Sequence, residues 1–362
     1  MKNRSTNYEL LRVLLTLFIP IYHWMLYNGI YYADDSINSV VSLGLFTGVP
    51  FSCLYAFIAM SSYFQLNKKY SWNPKKIYVF LALAFTLNIF RTILVNSLFQ
   101  GFFMNYFIDI FFLKGAWWYV YPYVLTMIFY PLINYFIYHA SMPTLYSVTG
   151  VFLIWFTVNS VNNDTRFIND CVMFICIYLL MGCIKRKEHS DFYKRNRTKI
   201  LVSIYVFCAV TLTLISLYYK LPLDYLTADE ADAILQIVHG RYNLFGLCSG
   251  IILFSLFRTI EVPYKPIIHK LSKVTLFVFL LHETVMSVFW YYEIKSAEYL
   301  AYLPMGEFFL WLIIYMICVL LFALIMYILY SKLIEPIWIK IINFFCETKL
   351  AKAIETIYNK LD

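Results

Sequence analysis

Charge is scarce in this chain. Asp, Glu, Lys and Arg make up 14% of its 362 residues, where a soluble domain carries about a quarter. Hydrophobic residues reach 62% and mean hydropathy is +0.68, values that exclude both an ordinary water-soluble domain and a disordered chain. Other absences narrow the field. None of the eight cysteines forms a CxxC pair and all but Cys346 fall inside apolar runs, so they read as small buried hydrophobes and neither zinc ligands nor disulfides are expected. His23, His139, His189, His239, His269 and His282 show no paired ligand spacing, so no metal is expected. The net charge of +8 is scattered over short loops and builds no single basic face, which argues against nucleic acid as a partner. No internal repeat or low-complexity linker divides the chain.

What is present instead is a series of apolar runs, each about 20 residues long. They lie near 8–31, 40–66, 76–98, 116–138, 143–161, 167–184, 200–219, 233–257, 274–292 and 306–331. The spacing predicts an all-α, polytopic transmembrane helix bundle. The first run exceeds a signal-peptide core, has no small-residue cleavage site behind it and contains Arg12 and His23, so it is read as a mature span. With a cytoplasmic N-terminus, segments 1–12, 67–76, 139–142, 185–199, 258–273 and 332–362 face inward and collect 23 of the 29 Lys and Arg residues. That asymmetry satisfies the positive-inside rule, and the expectation is ten spans in the plasma membrane with both termini cytoplasmic. Basic loops such as "KRKEHSDFYKRNRTK" (185–199) follow from topology and from attraction to anionic lipid. Residues 1–333 form one membrane domain. In the tail, 334–362, apolar Ile337, Ile341, Phe345, Ile354, Ile357 and Leu361 recur at helical spacing, as expected of an amphipathic helix on the cytoplasmic interface.

Ionisable groups at membrane depth are costly and turn toward the bundle interior, so the few that occur are functional candidates. They are Arg12 and His23 in the first span, Arg91 in the third with Asn88, Asp170 in the sixth, His239 and Arg241 in the eighth, and His282 with Glu283 in the ninth. Arg12 and His23 are eleven residues apart, three helical turns plus about 20°, so they share one stripe and lie about 16 Å apart along the axis. An imidazole exchanges protons near neutral pH or accepts a group covalently. Set above a cation, it suggests a reactive centre over an anion-binding mouth, where a phosphorylated donor rests its charged end on Arg12 and extends a thin arm toward His23. His282 and Glu283 point about 100° apart, so only one of them faces the centre squarely. Arg91 and Arg241 serve either as ion-pair partners of Asp170 or Glu283 or as substrate contacts. Trp118 and Tyr119 open the fourth span at the outer surface, where they could stack on a sugar or simply belong to the aromatic belt.

These residues resemble a known family. Arg12, ten residues and His23, preceded by "YELL", resemble the Arg/Lys-X10-His signature of membrane acyltransferase family three, whose members acylate glycans and other envelope molecules. In the same order, "VPFSCLYAFIAMSSYF" (49–64) is similar to its second-span pattern, with Ser62 where Gly is usual. "WWYVYPYVLTMIFYP" (117–131) is similar to its Trp-Tyr-Leu segment with a following Pro, and "LSKVTLFVFLLH" (271–282) to its late element ending in His. The resemblance runs from residue 8 to about 330. Tyr123 stands where many members carry Glu, and Lys68, Lys69, Lys75 and Lys76 stand in place of paired arginines after the second span. Lysines meet phosphates as point charges without the bidentate geometry of arginine.

Membership implies acyl-coenzyme A, most often acetyl-coenzyme A, as a cytoplasmic donor substrate, with no permanently bound cofactor, and a hydroxyl of an envelope or lipid-linked saccharide as acceptor. His23 becomes the expected central catalytic group, acting as general base or transient acyl carrier. Arg12 becomes a donor-phosphate or thioester contact, with Lys68, Lys69, Lys75 and Lys76 as further donor contacts. His282 becomes a polar support, and Trp118, Tyr119, Arg91, Arg241 and Glu283 the candidate acceptor-side contacts. Outer loops such as "YADDSINS" (32–39) and "LPLDYLTADEAD" (221–232) are short and mildly acidic, compatible with a neutral saccharide. The alternative is a polysaccharide exporter or flippase-like transporter of the same family fold, although the two halves show no matching broken helices. A scaffold whose polar residues only lock helix packing is the blandest reading.

Overall fold

The computed structural model describes residues 6–28, 36–46, 48–66, 74–98, 119–158, 166–187, 191–218, 244–291, 297–348 and 356. Every regular element among them is helical, as hydrocarbon requires of a chain that must satisfy its own backbone hydrogen bonds. In order they are α1 (Thr6–Tyr27), α2 (Ile37–Phe46), α3 (Gly48–Leu66), α4 (Pro74–Leu98), α5 (Val120–His139), α6 (Met142–Val158) and α7 (Arg166–Lys187). There follow α8 (Asp191–Tyr218), α9 (Leu244–Phe257), α10 (Pro266–Tyr291), α11 (Ala297–Tyr302), α12 (Met305–Leu329) and α13 (Glu335–Cys346). Seven stretches are long and apolar enough to cross a membrane: Thr6–Leu26, Pro74–Leu94, Val120–His139, Ile168–Lys187, Thr198–Ile215, Pro266–Phe289 and Met305–Cys346. Met142–Val158 and Leu244–Phe257 are apolar but shorter, and of the expected span 233–257 only 244–257 lies within the described residues.

The last stretch joins what the sequence divides into a span and a tail. One turn of π-helix, Tyr330–Ile334, carries α12 directly into α13, and Pro336, which has no N–H to give a preceding carbonyl, falls where the helical register changes. Trp338 then donates from Nε1 to Thr86 Oγ1 of α4 at 2.9 Å. No two cysteines are bonded among the described residues.

Two apolar cores fill the bundle. One joins Trp24 and Met25 of α1 to α4, α10 and α12; the other joins Leu11, Leu15 and Ile19 of α1 to α3, α5, α7 and α9. α1 therefore belongs to both, one half in each. Phe279 of α10 packs against both as well. On the periphery, Val202, Val206, Phe207, Val210 and Leu214 of α8 and Leu310, Ile313, Ile317 and Leu321 of α12 are exposed. In water such apolar faces would drive aggregation; in a bilayer they are the lipid contact.

Polar ties at helix ends fix the arrangement. Arg186 donates to the carbonyls of Ile137 and Ala140 at 2.9 and 2.7 Å, satisfying the exposed C-terminus of α5. Tyr138 donates to the Leu66 carbonyl at 2.9 Å and Asn7 to the Phe257 carbonyl at 2.7 Å, so these termini meet at the Arg12 end of the bundle. At the opposite end Asn38 donates to the carbonyls of Ala301 and Leu303 at 3.0 and 2.8 Å.

α3 and α9 touch backbone to backbone. A methyl group at Gly250 would fall 2.6 Å from the Ser52 carbonyl oxygen and 2.9 Å from the Ala56 nitrogen, neither of which can rotate away. Gly250→Val is therefore expected to destabilise the protein by about 1–3 kcal/mol through overpacking. Gly150→Ala, with nothing within 4 Å, should leave stability unchanged or slightly raised. Thermal melting in detergent checks this, and equal melting temperatures for the Gly250→Val protein and its parent would refute the close approach.

Candidate active site

α1 carries both the cation and the imidazole of its stripe. Arg12 Nη1 donates to Glu9 Oε2 at 2.9 Å, three residues back on the same face, and Glu9 is buried whereas Arg12 keeps 27% of its side chain accessible. Both line a cavity of about 800 Å³ among α1, α3, α4, α5 and α10. Along α1 the lining runs from Tyr8 through Arg12 to Ile19, and along α10 from Ser272 and Thr275 to Phe279. Lys76 of α4 joins it, while Leu54, Met60, Val124 and Met127 give it apolar walls.

The cavity thus ends on α1 at Ile19 and on α10 at Phe279. His23 and His282 are the residues one helical turn further along the same two faces. Their rings lie edge to edge, with planes at 24° and centroids 4.7 Å apart, and His23 Nδ1 lies 2.5 Å from His282 Nε2. The other nitrogen of His282, Nδ1, faces the Phe279 carbonyl at 2.7 Å and that of Val278 at 3.2 Å. A carbonyl only accepts, so His282 Nδ1 carries a proton and a neutral His282 offers the lone pair of Nε2. His23 must then donate from Nδ1, which leaves the lone pair of a neutral His23 on Nε2. The tautomer of His23 is therefore set by a backbone carbonyl acting through a second imidazole.

Glu283 reaches the same place. Its Oε1 lies 3.8 Å from His23 Nδ1 and its Oε2 3.8 Å from Arg91 Nη2, so neighbours 100° apart on α10 both approach His23, which enters between them. His282 is buried, and Glu283 and Arg91 each keep 24% of their side chains accessible. His23, His282 and Glu283 present ligand atoms within 4.8 Å of one another, a cluster that sequence spacing could not reveal because its members come from two distant helices. At 2.5 Å the two ring nitrogens are in hydrogen-bond contact.

Supporting groups lock α10. Tyr315 of α12 donates to the His282 carbonyl at 3.2 Å, and its ring stacks on Trp24 at 4.5 Å, next to the histidine of α1. Phe279 closes the cavity under the pair, its ring 5.2 Å from Tyr119 and 6.3 Å from His282. Tyr119, read from the sequence as an outer-surface residue, lines the same cavity as Arg12 and stacks on Tyr123. Tyr123, in place of the family's usual Glu, hydrogen-bonds Ser61. Lys75 is exposed beside Lys76 at the start of α4, whereas Trp118, Arg241, His239, Lys68 and Lys69 lie outside the described residues. The sequence reading passed over Glu9, Phe279 and Tyr315. Only Glu9 left a signal, its spacing of three from Arg12.

An all-helical membrane bundle with a hydrogen-bonded imidazole pair set directly beyond a cation-bearing cavity has the equipment of a group-transfer enzyme. A family model described as an acyltransferase domain matches residues 6–330, and the chain belongs to that family, acyltransferase family 3. It is a membrane acyltransferase. No curated protein and no solved structure matches it.

Arg12 has two separable roles, one in neutralising Glu9 and one in facing the cavity. Arg12→Ala leaves the Glu9 carboxylate without its guanidinium and is expected to cost up to about 3 kcal/mol of stability. Adding Glu9→Gln should restore the melting temperature without restoring transferase activity. Recovery of both together would reduce Arg12 to a structural ion-pair partner.

Proposed function

We propose that the protein is an O-acyltransferase that moves an acyl group, most simply acetyl, from cytoplasmic acyl-coenzyme A to a hydroxyl of an extracytoplasmic or lipid-linked saccharide. In this reading the chain crosses the plasma membrane ten times with both termini in the cytoplasm. One observation carries it: the lining of the cavity that holds Arg12 stops one turn short of His23 on α1 and one turn short of His282 on α10. A phosphate-rich head fits beside the Arg12 and Lys76 cations, and a neutral pantetheine arm suits the apolar walls, which lead its thioester toward the imidazoles.

The chemistry follows from the tautomer. His23 Nε2 removes the proton of the acceptor hydroxyl as that oxygen attacks the thioester carbonyl carbon. Collapse of the tetrahedral adduct breaks the carbon–sulfur bond, and the departing thiolate takes up the proton held on Nε2. His282 keeps Nδ1 of His23 protonated throughout and lets the positive charge spread over two rings, while Glu283, 3.8 Å away, stabilises it further. His282 is buried and Phe279 lies between it and the cavity, an apolar setting that favours transfer over hydrolysis.

His23→Gln removes the base while keeping a polar side chain of similar reach. In protein that melts normally, the rate of coenzyme A thiol release in the presence of an envelope saccharide fraction is expected to fall about 10²–10⁴-fold. A variant with its parent's rate would end the proposal.

A further inference from the structure

Three side chains beyond the cavity converge on one point. His23, His282 and Glu283 each bring one ligand atom to within 4.8 Å of the other two. Two imidazole nitrogens and a carboxylate oxygen are a donor set for zinc and its first-row neighbours, whereas magnesium and calcium take oxygen ligands. Convergence alone does not separate a metal site from a hydrogen-bonded cluster. The contacts behind the three groups do.

Both residues of α10 are already oriented as metal ligands are. A ligating histidine donates its other ring N–H to a carbonyl or carboxylate, and a ligating carboxylate is itself held from behind. His282 meets the first condition, donating from Nδ1 to the Phe279 carbonyl at 2.7 Å while Nε2 turns its lone pair toward His23. Glu283 meets the second, with Oε2 3.8 Å from Arg91 Nη2 and Oε1 3.8 Å from His23 Nδ1. Only His23 has to change. Its side chain keeps 19% of its surface accessible and that of Glu283 24%, so neither is sealed in the packed core. Two bonds of about 2.0–2.1 Å to one ion need the nitrogens further apart than they stand, so an ion enters by parting the rings and taking the place of the hydrogen between them.

We propose that His23, His282 and Glu283 form a binding site for zinc or a similar divalent transition ion, and that the bound ion switches off the base. When the ion takes the Nδ1 lone pair of a neutral His23, the ring's one proton sits on Nε2. No proton leaves the ring, but its tautomer is reversed. Nε2 is the atom that accepts the hydroxyl proton in the reaction proposed above, so the loaded protein has no base there. This consequence rests on that reading; the binding does not. The Glu283 carboxylate and the Arg91 guanidinium offset each other in charge, so a hard cation gains little and selection falls to the imidazoles.

The test titrates the full-length purified protein, in detergent and without a histidine tag, with zinc and separately with magnesium, free zinc being fixed by a chelator buffer. One zinc per chain is expected, bound at least tenfold more tightly than magnesium. His282→Gln and Glu283→Gln should each weaken zinc at least tenfold, whereas His139→Gln and His269→Gln should shift it less than twofold. X-ray absorption of the zinc-loaded parent reads the ligands without any substitution, and should show two imidazoles with nitrogen at about 2.0–2.1 Å. Transfer of a labelled acyl group should fall in step with occupancy and return when the zinc is chelated. Absence of zinc binding, a spectrum with fewer than two imidazoles, or unchanged affinity in both α10 variants would overturn the site. Zinc bound with the expected spectrum while transfer continues at the zinc-free rate would uphold the site and overturn Nε2 as the base. A zinc-free protein that transfers no acyl group from acyl-coenzyme A would overturn the function proposed above and leave the metal site standing.

Discussion

The bond between His23 and His282 is the constraint around which the site is organised. It joins α1 to α10 across 259 positions of sequence. It lies where the two apolar cores meet, because α1 gives its first half to one and its second half to the other. A polar contact at such a seam is costly unless every member has a partner. Here the chain of partners runs from the Phe279 carbonyl through both rings, and Tyr315 occupies the carbonyl of His282. Stacking of Tyr315 on Trp24 sets the relative height of the two helices, so a displacement of either would break the ring-to-ring bond.

Charge is arranged around this axis in two separate groups. On the cavity side the cations of Arg12 and Lys76 share the lining with one buried carboxylate, Glu9. Beside the imidazoles the pattern is mirrored, with the Glu283 carboxylate reaching Arg91 and His23 from its two oxygens. Between the groups the lining is uncharged, with Ile19, Tyr119, Tyr123, Thr275 and Phe279. An anion admitted at Arg12 and Lys76 therefore meets no further cation in the lining toward His23, whereas a neutral arm needs none. Donor selection in this reading comes from the polarity of the route as much as from the contacts at either end.

The sequence was most informative where a property repeats along one helix. The Arg12–His23 stripe follows from the helical period alone, and His282 was singled out by likeness to a late family element. Azimuth across helices was not legible. Depth along a span put Tyr119 at the outer surface, but depth says nothing about which way a side chain turns, and it turns into the cavity. The meeting of Lys185 and Arg258 at the Tyr63 ring was hidden for the same reason: charge counting assigned both to inner segments and to lipid, and only packing brings them together. The sequence divides span from tail at 333, yet a π turn, Tyr330–Ile334, carries the helix through.

The position of Phe279 ties recognition to chemistry. Its ring closes the cavity, while its carbonyl is the acceptor that fixes the proton on His282 and, through it, the lone pair on His23. The ring can swing about its side-chain torsions without moving that carbonyl, since the carbonyl belongs to the helix backbone. In the proposed reaction, opening the roof to a thioester would therefore not require loss of the tautomer on which the base depends. A closing residue on another helix would give no such separation, because shifting that helix to admit the arm would also disturb the α1–α10 register. On the proposed mechanism, having the cavity's closing ring and the tautomer-setting carbonyl in one residue of α10 would let the site open toward the donor while the imidazole pair stays set for proton transfer.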